Sequence, residues 1–491
     1  MELIWKEIET SRLIARRTEQ THISGVLPPP EGRKLMQVLN CSAEVYVVSC
    51  TVEKESVTVE GRIDANVTAL DGNEAFSFRS SAGFRHSMNM PEAMNGMTAQ
   101  VMPVIQTLYA APSPEGAELK ADVDLETELV CPIPLKVIGG VSGVGDLEMK
   151  IVKETHRSLV KIADETLHLR EEIAAEGAAR IVSCEGFAAA RELTTEGGTA
   201  SVSGIITISA VTADKEDRLL QTVRQIPFRE KLSLDGAGRD AFCTAELREL
   251  YLRTVGDDLD LISMEAEVGF VIYAAKIAEA ELPVDAFSPE ICFDCLREKP
   301  IDINRLGGSS FQISLREEVP LPDNAPEPSR GLFAAARPIV TGTEIAGEQM
   351  KVTGVFETTA VYESEAGNVN VFIRDVPFEC ALPCPPETSR AKVKPRCVCS
   401  LAGIAERNAL LQYSLLLNAE FICETAHELV VGLAEREPDP RREGLIVCFA
   451  SEGESVFDIA KRYRVPCDTV RNMNPEIEEP LHEGEKLIMI V

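Results

Sequence analysis

The sequence predicts a mainly β protein, in which three tandem homologous antiparallel β domains, sandwich-like in build, precede a small β-α-α-β module. Three observations carry that prediction. Short extended runs ending in Gly recur at Val57–Gly61, Ala200–Gly204 and Met350–Gly354, at intervals of 143 and 150 residues. Period-two, β-branched stretches such as Ser201–Val211 alternate with turn-forming clusters, the signature of strands and hairpins. Near residue 435 the pattern changes to a charged, Pro-containing run and then to helical spacing.

The repeats fix the domain bounds. Leu3–Ile8, Glu148–Lys153 and Ile291–Leu296 open units at 1–145, 146–289 and 290–434. Strand-like Thr21–Ile23, Thr166–Leu169 and Phe311–Ser314 follow about 20 residues later in each. Turns are expected at Pro28–Pro30, Asp71–Asn73, Asp235–Gly236 and Glu365–Asn368, where Gly, Pro, Asn and Asp cluster. Pro91–Gln106 and Ser400–Asn408 read as short helices.

Two further landmarks keep step with the repeated Gly. A Phe (Phe84, Phe228, Phe378) follows it by 23, 24 and 24 residues, and a Glu (Glu126, Glu267, Glu420) by 65, 63 and 66. The Phe residues read as one core position met three times. Gly61, Gly204 and Gly354 read as one strand position where the sheet bends or another backbone approaches closely. A catalytic reading of the Glu residues needs a partner acid at fixed spacing in every copy, and none is present.

Composition narrows the function classes. The 49 basic and 79 acidic side chains give a net charge of −30, which repels phosphate backbones and argues against a nucleic-acid partner. No run approaches the 18 or so apolar residues of a membrane span, and the first residues carry no basic and apolar signal pattern. The expected location is therefore the cytosol. The 14 Cys read as reduced, buried thiols; Cys292/Cys295, Cys380/Cys384 and Cys397/Cys399 lack the second pair or nearby His that a zinc site needs. No metal, no cofactor and no P-loop glycine pattern is expected, and no enzymatic activity.

The last tenth of the chain is the most specific. Residues 435–443 have the composition of a solvated linker. Gly444–Phe449 reads as a strand, and Ser455 as the N-cap of a helix with apolar Val456, Ile459, Ala460 and Tyr463 on one face. Asp468 reads as the N-cap of a second helix that ends at Asn474-Pro475, and Lys486–Ile490 as the closing strand. This order resembles the LysM module over residues 444–491, through Glu452–Ser455, Phe457–Pro466, Asn472–Pro475 and Gly484–Leu487. Two positions depart from the family pattern: Glu454-Ser455 replaces an acidic-Thr pair, and Val491 replaces a terminal Pro. The resemblance implies a groove between two loops, Gly453, Glu454, Ser455 and Val456 in the first and Asn474, Pro475, Glu476 and Ile477 in the second. In the family that groove takes N-acetylglucosamine polymers.

Three such β repeats followed by LysM resemble the spore-coat morphogenetic proteins of the SipL and SpoVID kind, whose repeat is the SPOCS domain. The features that match are the Val-x-Gly strand, the Pro-Phe element and Leu282–Ser288. The resemblance implies a non-enzymatic scaffold in endospore-coat assembly, in the mother-cell cytosol at the forespore surface. Its implied partner is the ATPase of the coat basement layer, SpoIVA-like, reached through LysM, together with other coat proteins. The alternative is a peptidoglycan-binding protein of the cell or spore envelope. The module's five basic and nine acidic residues favour a protein partner over an anionic wall polymer.

Overall fold

The computed structural model describes the chain except for residues 1, 9–11, 132–134, 143–146, 197, 234–240, 257, 438–443 and 491. The expected turn at Asp235–Gly236 and most of the expected linker therefore lie outside the described residues. The described residues are mainly β, with antiparallel sheets and two short helices among them.

The strands fall into three sets along the chain. The first comprises β1 (Glu2–Ile8), β2 (Arg12–Leu27), β3 (Gln37–Glu53), β4 (Ser56–Asp71), β5 (Glu74–Asn89), β6 (Thr98–Ser113), β7 (Gly116–Cys131) and β8 (Leu135–Ser142). The second comprises β9 (Glu148–Ala174), β10 (Arg180–Glu196), β11 (Thr199–Ala213), β12 (Leu219–Ser233), β13 (Ala241–Val255) and β14 (Asp258–Phe287). The third comprises β15 (Phe293–Glu298), β16 (Ile301–Pro320), β17 (Pro328–Ala346), β18 (Gln349–Ser364), β19 (Val369–Pro383), β20 (Arg390–Ala405), β21 (Asn408–Ala426) and β22 (Leu429–Glu435).

One strand order serves all three. In the first set β3-β4-β5 forms one face and β2-β7-β6 the other, with β1-β8 as a two-stranded ribbon. The third set repeats this as β17-β18-β19, β16-β21-β20 and β15-β22. In the second, β10-β11-β12 faces β9-β14-β13, and the ribbon is the continuation of β9 against β14, where Glu148 pairs with Phe287. Alternating side chains from both faces fill each interior, for example Ile23, Val59, Ile63, Leu119 and Val123 in the first set.

The recurring Gly and Phe have one physical cause. They sit directly opposite each other across the central hairpin, as Gly61↔Phe84, Gly204↔Phe228 and Gly354↔Phe378. On the other side each Gly faces a β-bulge, between Val47 and Ser49, Ala190 and Glu192, and Val340 and Gly342. The bulge drives a carbonyl inward. A Cβ on Gly61, Gly204 or Gly354 would lie 2.6, 2.2 or 2.4 Å from the carbonyl oxygen of Tyr46, Ala189 or Ile339. It would also lie within 2.5 Å of the opposing Phe ring. Only a residue without Cβ admits both neighbours.

Two sequence expectations need correction. Residues 98–113 and 390–405 are strands, so Pro91–Gln106 and Ser400–Asn408 do not form helices. Pro103 is tolerated because β6 is an edge strand, and Glu406 and Arg407 take left-handed φ values of 49° and 64° that close a two-residue hairpin. The three Glu landmarks do not share a register either. Counted from the bulge in the first long strand of each set, which falls next to Leu129, Ile272 and Phe421, Glu126, Glu267 and Glu420 sit at different distances. Near-equal spacing in sequence concealed unequal turns and bulges.

The sets pack around two shared apolar clusters. At one end Leu39 and Leu70, Val182 and Val211, and Phe333 and Val361 meet, each pair from one set. At the other, the ribbons contribute Ile8, Leu135 and Val137, then Leu282, then Leu429. Strands β2 and β16 pair through Leu13↔Ile301 and Arg12↔Asp302. Leu13 and Val130 pack on Ile303 and Ile422 across the contact of first and third sets, and beside them Glu128, nearly buried, meets Arg16 at 3.1 Å and both Arg390 and Lys392 at 2.6 Å. Burial works to raise the Glu128 carboxyl, but these three cations outweigh it and hold it below its ordinary value.

The C-terminal segment is a β-α-α-β unit. It consists of β23 (Leu445–Phe449), α1 (Val456–Tyr463), α2 (Cys467–Met473) and β24 (Lys486–Ile490), with Leu445 opposite Ile490 and Phe449 opposite Lys486.

Candidate docking site

The eight residues expected to bind a partner divide by what their side chains already do. Ser455 caps α1 in a capping box: the Asp458 N–H donates to its hydroxyl (3.3 Å), and its own N–H donates to the Asp458 carboxylate (3.0 Å). Val456 is buried beneath the helix. Gly453 takes a φ of 77°, and its N–H donates to the Leu481 carbonyl at 3.1 Å. The Glu454 carbonyl accepts from the Leu481 N–H at 2.9 Å, and its carboxylate pairs with Arg462.

The second loop is held by Asn474. Its amide donates to the carbonyls of Val470 (2.8 Å) and Ile488 (2.7 Å) and accepts from the Ile488 N–H (2.8 Å). That side chain stitches α2 to β24 and is consumed by the fold. Ile477 packs half-buried on the core, while Pro475 and Glu476 are exposed. The two loops make no hydrogen bond to each other among the described residues; the first is braced by Leu481 and by the Glu483 N–H, which donates to Glu452 (3.0 Å). Gly453, Pro475 and Glu476 are thus the expected residues open to a partner. The expected cap of α2 also moves by two residues: Pro466 occupies it, and Asp468 lies exposed in the first turn.

Sequence reasoning did not anticipate that this unit is seated on the second ribbon. Phe457 meets Phe287 edge-to-face, with ring centroids 5.1 Å apart. Lys150 donates to both oxygens of Asp458 (3.0 and 3.1 Å), and the Cys467 N–H donates to Glu148 (3.2 Å). Asp285 accepts from Lys461 (2.6 Å) and from Arg297 on the third set's ribbon (2.7 Å), joining three parts of the chain. Burial tends to raise the Asp458 carboxyl, yet its bonds from Ser455 and Lys150 hold it below the ordinary range. The available signal was the run Leu282–Ser288, which contains both Asp285 and Phe287.

The opposite face of the unit is bare. Leu445, Val447, Phe449 and Ile490 are 67, 47, 62 and 60 % exposed on the outer side of the β23-β24 pair.

Residues 34–111 match the family model of the SipL SPOCS domain. The matched span runs from just before β3 to within β6. This match supports a SipL-like spore-coat protein and so a place in sporulation and coat assembly. No curated protein and no solved structure matches the chain. No described helix is long and apolar enough to cross a membrane.

Proposed function

We propose that the chain is a non-enzymatic scaffold of the endospore coat, built of SPOCS-like units at 1–145, 146–289 and 290–434 and a LysM-like module at 444–491. The observation that carries this reading is the SPOCS match at 34–111, joined to the recurrence of its strand order, bulge and Gly–Phe contact in the two later sets. A single matched unit becomes a threefold one on that ground. The scaffold works in the mother cell at the forespore surface. Its module docks to the basement-layer ATPase through the open residues Gly453, Pro475 and Glu476, beside Glu454, Ser455, Val456, Asn474 and Ile477, which shape the loops. Nothing in this role requires a metal or cofactor.

The test compares the whole chain with a chain ending at residue 436. The whole chain is expected to capture the purified basement-layer ATPase, and the truncated one to lose at least 10-fold in affinity, about 1.4 kcal/mol. Circular dichroism checks that the β sets stay folded. Undiminished capture by the truncated chain places the docking surface in the β sets. Co-sedimentation of the whole chain with peptidoglycan, without ATPase capture, overturns the reading in favour of glycan binding.

A further inference from the structure

The ribbon end of the contact between the second and third sets is closed by two reciprocal histidine–carboxylate pairs. His156 on β9 donates to Asp302 on β16 at 2.7 Å, and its side chain is only 12 % exposed. His427, between β21 and β22, faces Glu154 on β9 at 3.6 Å. Each set thus offers one imidazole and receives one. The Arg157 N–H adds a neutral bond to Asn304 (2.7 Å). These groups wall a small cavity floored by Leu135, Leu282 and Leu429, one residue from each ribbon.

The other contacts are chemically different. At the far end of the same seam, the Gln221 amide donates to the carbonyls of Ala334 and Cys399 (both 2.8 Å) and accepts from the N–H groups of Ala334 (3.0 Å) and Leu401 (3.2 Å). Gln312 donates to Thr207 at 3.0 Å. Amides do not titrate. Among the described residues, the seam between first and third sets carries no imidazole in its ion pairs, which set Arg16, Arg390 and Lys392 on Glu128 and Glu424.

We propose that the seam between the second and third sets is a pH-responsive joint, closed at the ribbon end while His156 is cationic and loosened there when it loses its proton. The amide-held end acts as its hinge. The charged groups facing the pair are Glu154 on β9, Asp302 on β16 and Arg12 on β2; β14, β22 and β8 present apolar side chains. The hydrogen bond to Asp302 is the larger influence on His156 and lifts it above its ordinary value of 6.5, with burial opposing. A raised imidazole stabilises the closed seam fully below that ordinary value and ceases to do so as pH rises through the folded-state value. Because Asp285 ties the third ribbon to the C-terminal unit, loosening of this seam also reaches the seat of that unit.

Hydrogen exchange on the whole chain, corrected for the intrinsic pH dependence of exchange, tests the joint between pH 5.5 and 8.5. Protection over residues 150–157 and 301–305 is expected to fall about 10-fold, the equivalent of about 1.4 kcal/mol. Protection around Gln221 and around Glu128 stays level. The double variant His156→Gln with His427→Gln should show low, pH-independent protection at the ribbon end, with the far end unchanged. Asp302→Asn with Glu154→Gln, which keeps both imidazoles, should do the same. Level protection in the wild type, or a pH-dependent fall that survives in either double variant, overturns the proposal.

Discussion

Replacing Gly354 by Ala tests the physical account of the repeat most directly. The added methyl would sit 2.4 Å from the Ile339 carbonyl oxygen and 2.4 Å from Cζ of Phe378. An ordinary carbon–oxygen approach is about 3.3 Å, so the first contact is short by almost an ångström. The oxygen belongs to a bulged backbone held by its own strand pairing and cannot swing aside as a side chain would. The ring can move, but Phe378 is 6 % exposed and lies against Phe356 with centroids 4.5 Å apart. Overpacking of this kind costs about 1–3 kcal/mol, and a backbone obstacle puts this site near about 3 kcal/mol. Gly403 is the matched control: nothing lies within 4 Å of its would-be Cβ, and Ala there is expected to be neutral or stabilising by about 0.5 kcal/mol. Urea unfolding followed by circular dichroism reads both. Adding Phe378→Ala to Gly354→Ala should relieve the ring clash but leave the carbonyl clash, so the two changes couple favourably without restoring stability. A Gly354→Ala protein within about 0.5 kcal/mol of wild type refutes the bulge-and-ring explanation.

Two further outcomes follow from buried carboxylates. Glu128→Gln leaves Arg390 and Lys392 facing a neutral amide at the contact of first and third sets, and should cost about 2 kcal/mol by urea unfolding, reduced from the fully buried case because the cations are partly exposed. Since the Glu128 carboxyl is held low, its stabilisation is present above the ordinary carboxylate value and lost on acidification through the folded one, so wild type and variant should converge at low pH. Glu185, beside the cavity where Asn40, Ser209 and Phe333 of the three sets meet, is pushed up to about 7 by burial. The folded state then holds its proton more tightly than the unfolded chain, and this group lowers stability as pH rises from about 4.5 to about 7. Glu185→Gln should remove that decline, on the order of 3 kcal/mol, in urea unfolding across the range; an unchanged pH profile would contradict the placement of the carboxyl.

Local chemistry explains why so much of the strand pattern was legible. Alternating apolar residues, β-branched side chains and two-residue turns act over a few neighbours, and the constant spacing from Gly to Phe is the register of a single hairpin. The capping of α1 by Ser455 was readable for the same reason. Asn474 was harder, because an exposed-looking polar residue after a helix gives no sign that its amide will be used across the sheet by Ile488. The helices expected at Pro91–Gln106 and Ser400–Asn408 failed because neither the edge position of β6 nor the hairpin at Glu406-Arg407 is marked by a strong turn residue.

The sequence alone determined a mainly β chain, its threefold recurrence of Gly and Phe at near-constant spacing, and a closing β-α-α-β unit, since each follows from side-chain period and turn chemistry within about 30 residues. The tertiary structure decided what meets what. The three strand sets converge on Leu39, Val182 and Phe333 at one end and on their ribbons at the other. Glu126, Glu267 and Glu420 drop out of register, Glu128 gathers three cations, and Phe457 seats the last unit on Phe287. Those contacts join residues far apart in the chain, such as Glu128 with Lys392, 264 positions away, and Lys150 with Asp458, 308 away. They depend on the shape and charge of whole surfaces once folded, which no local pattern encodes.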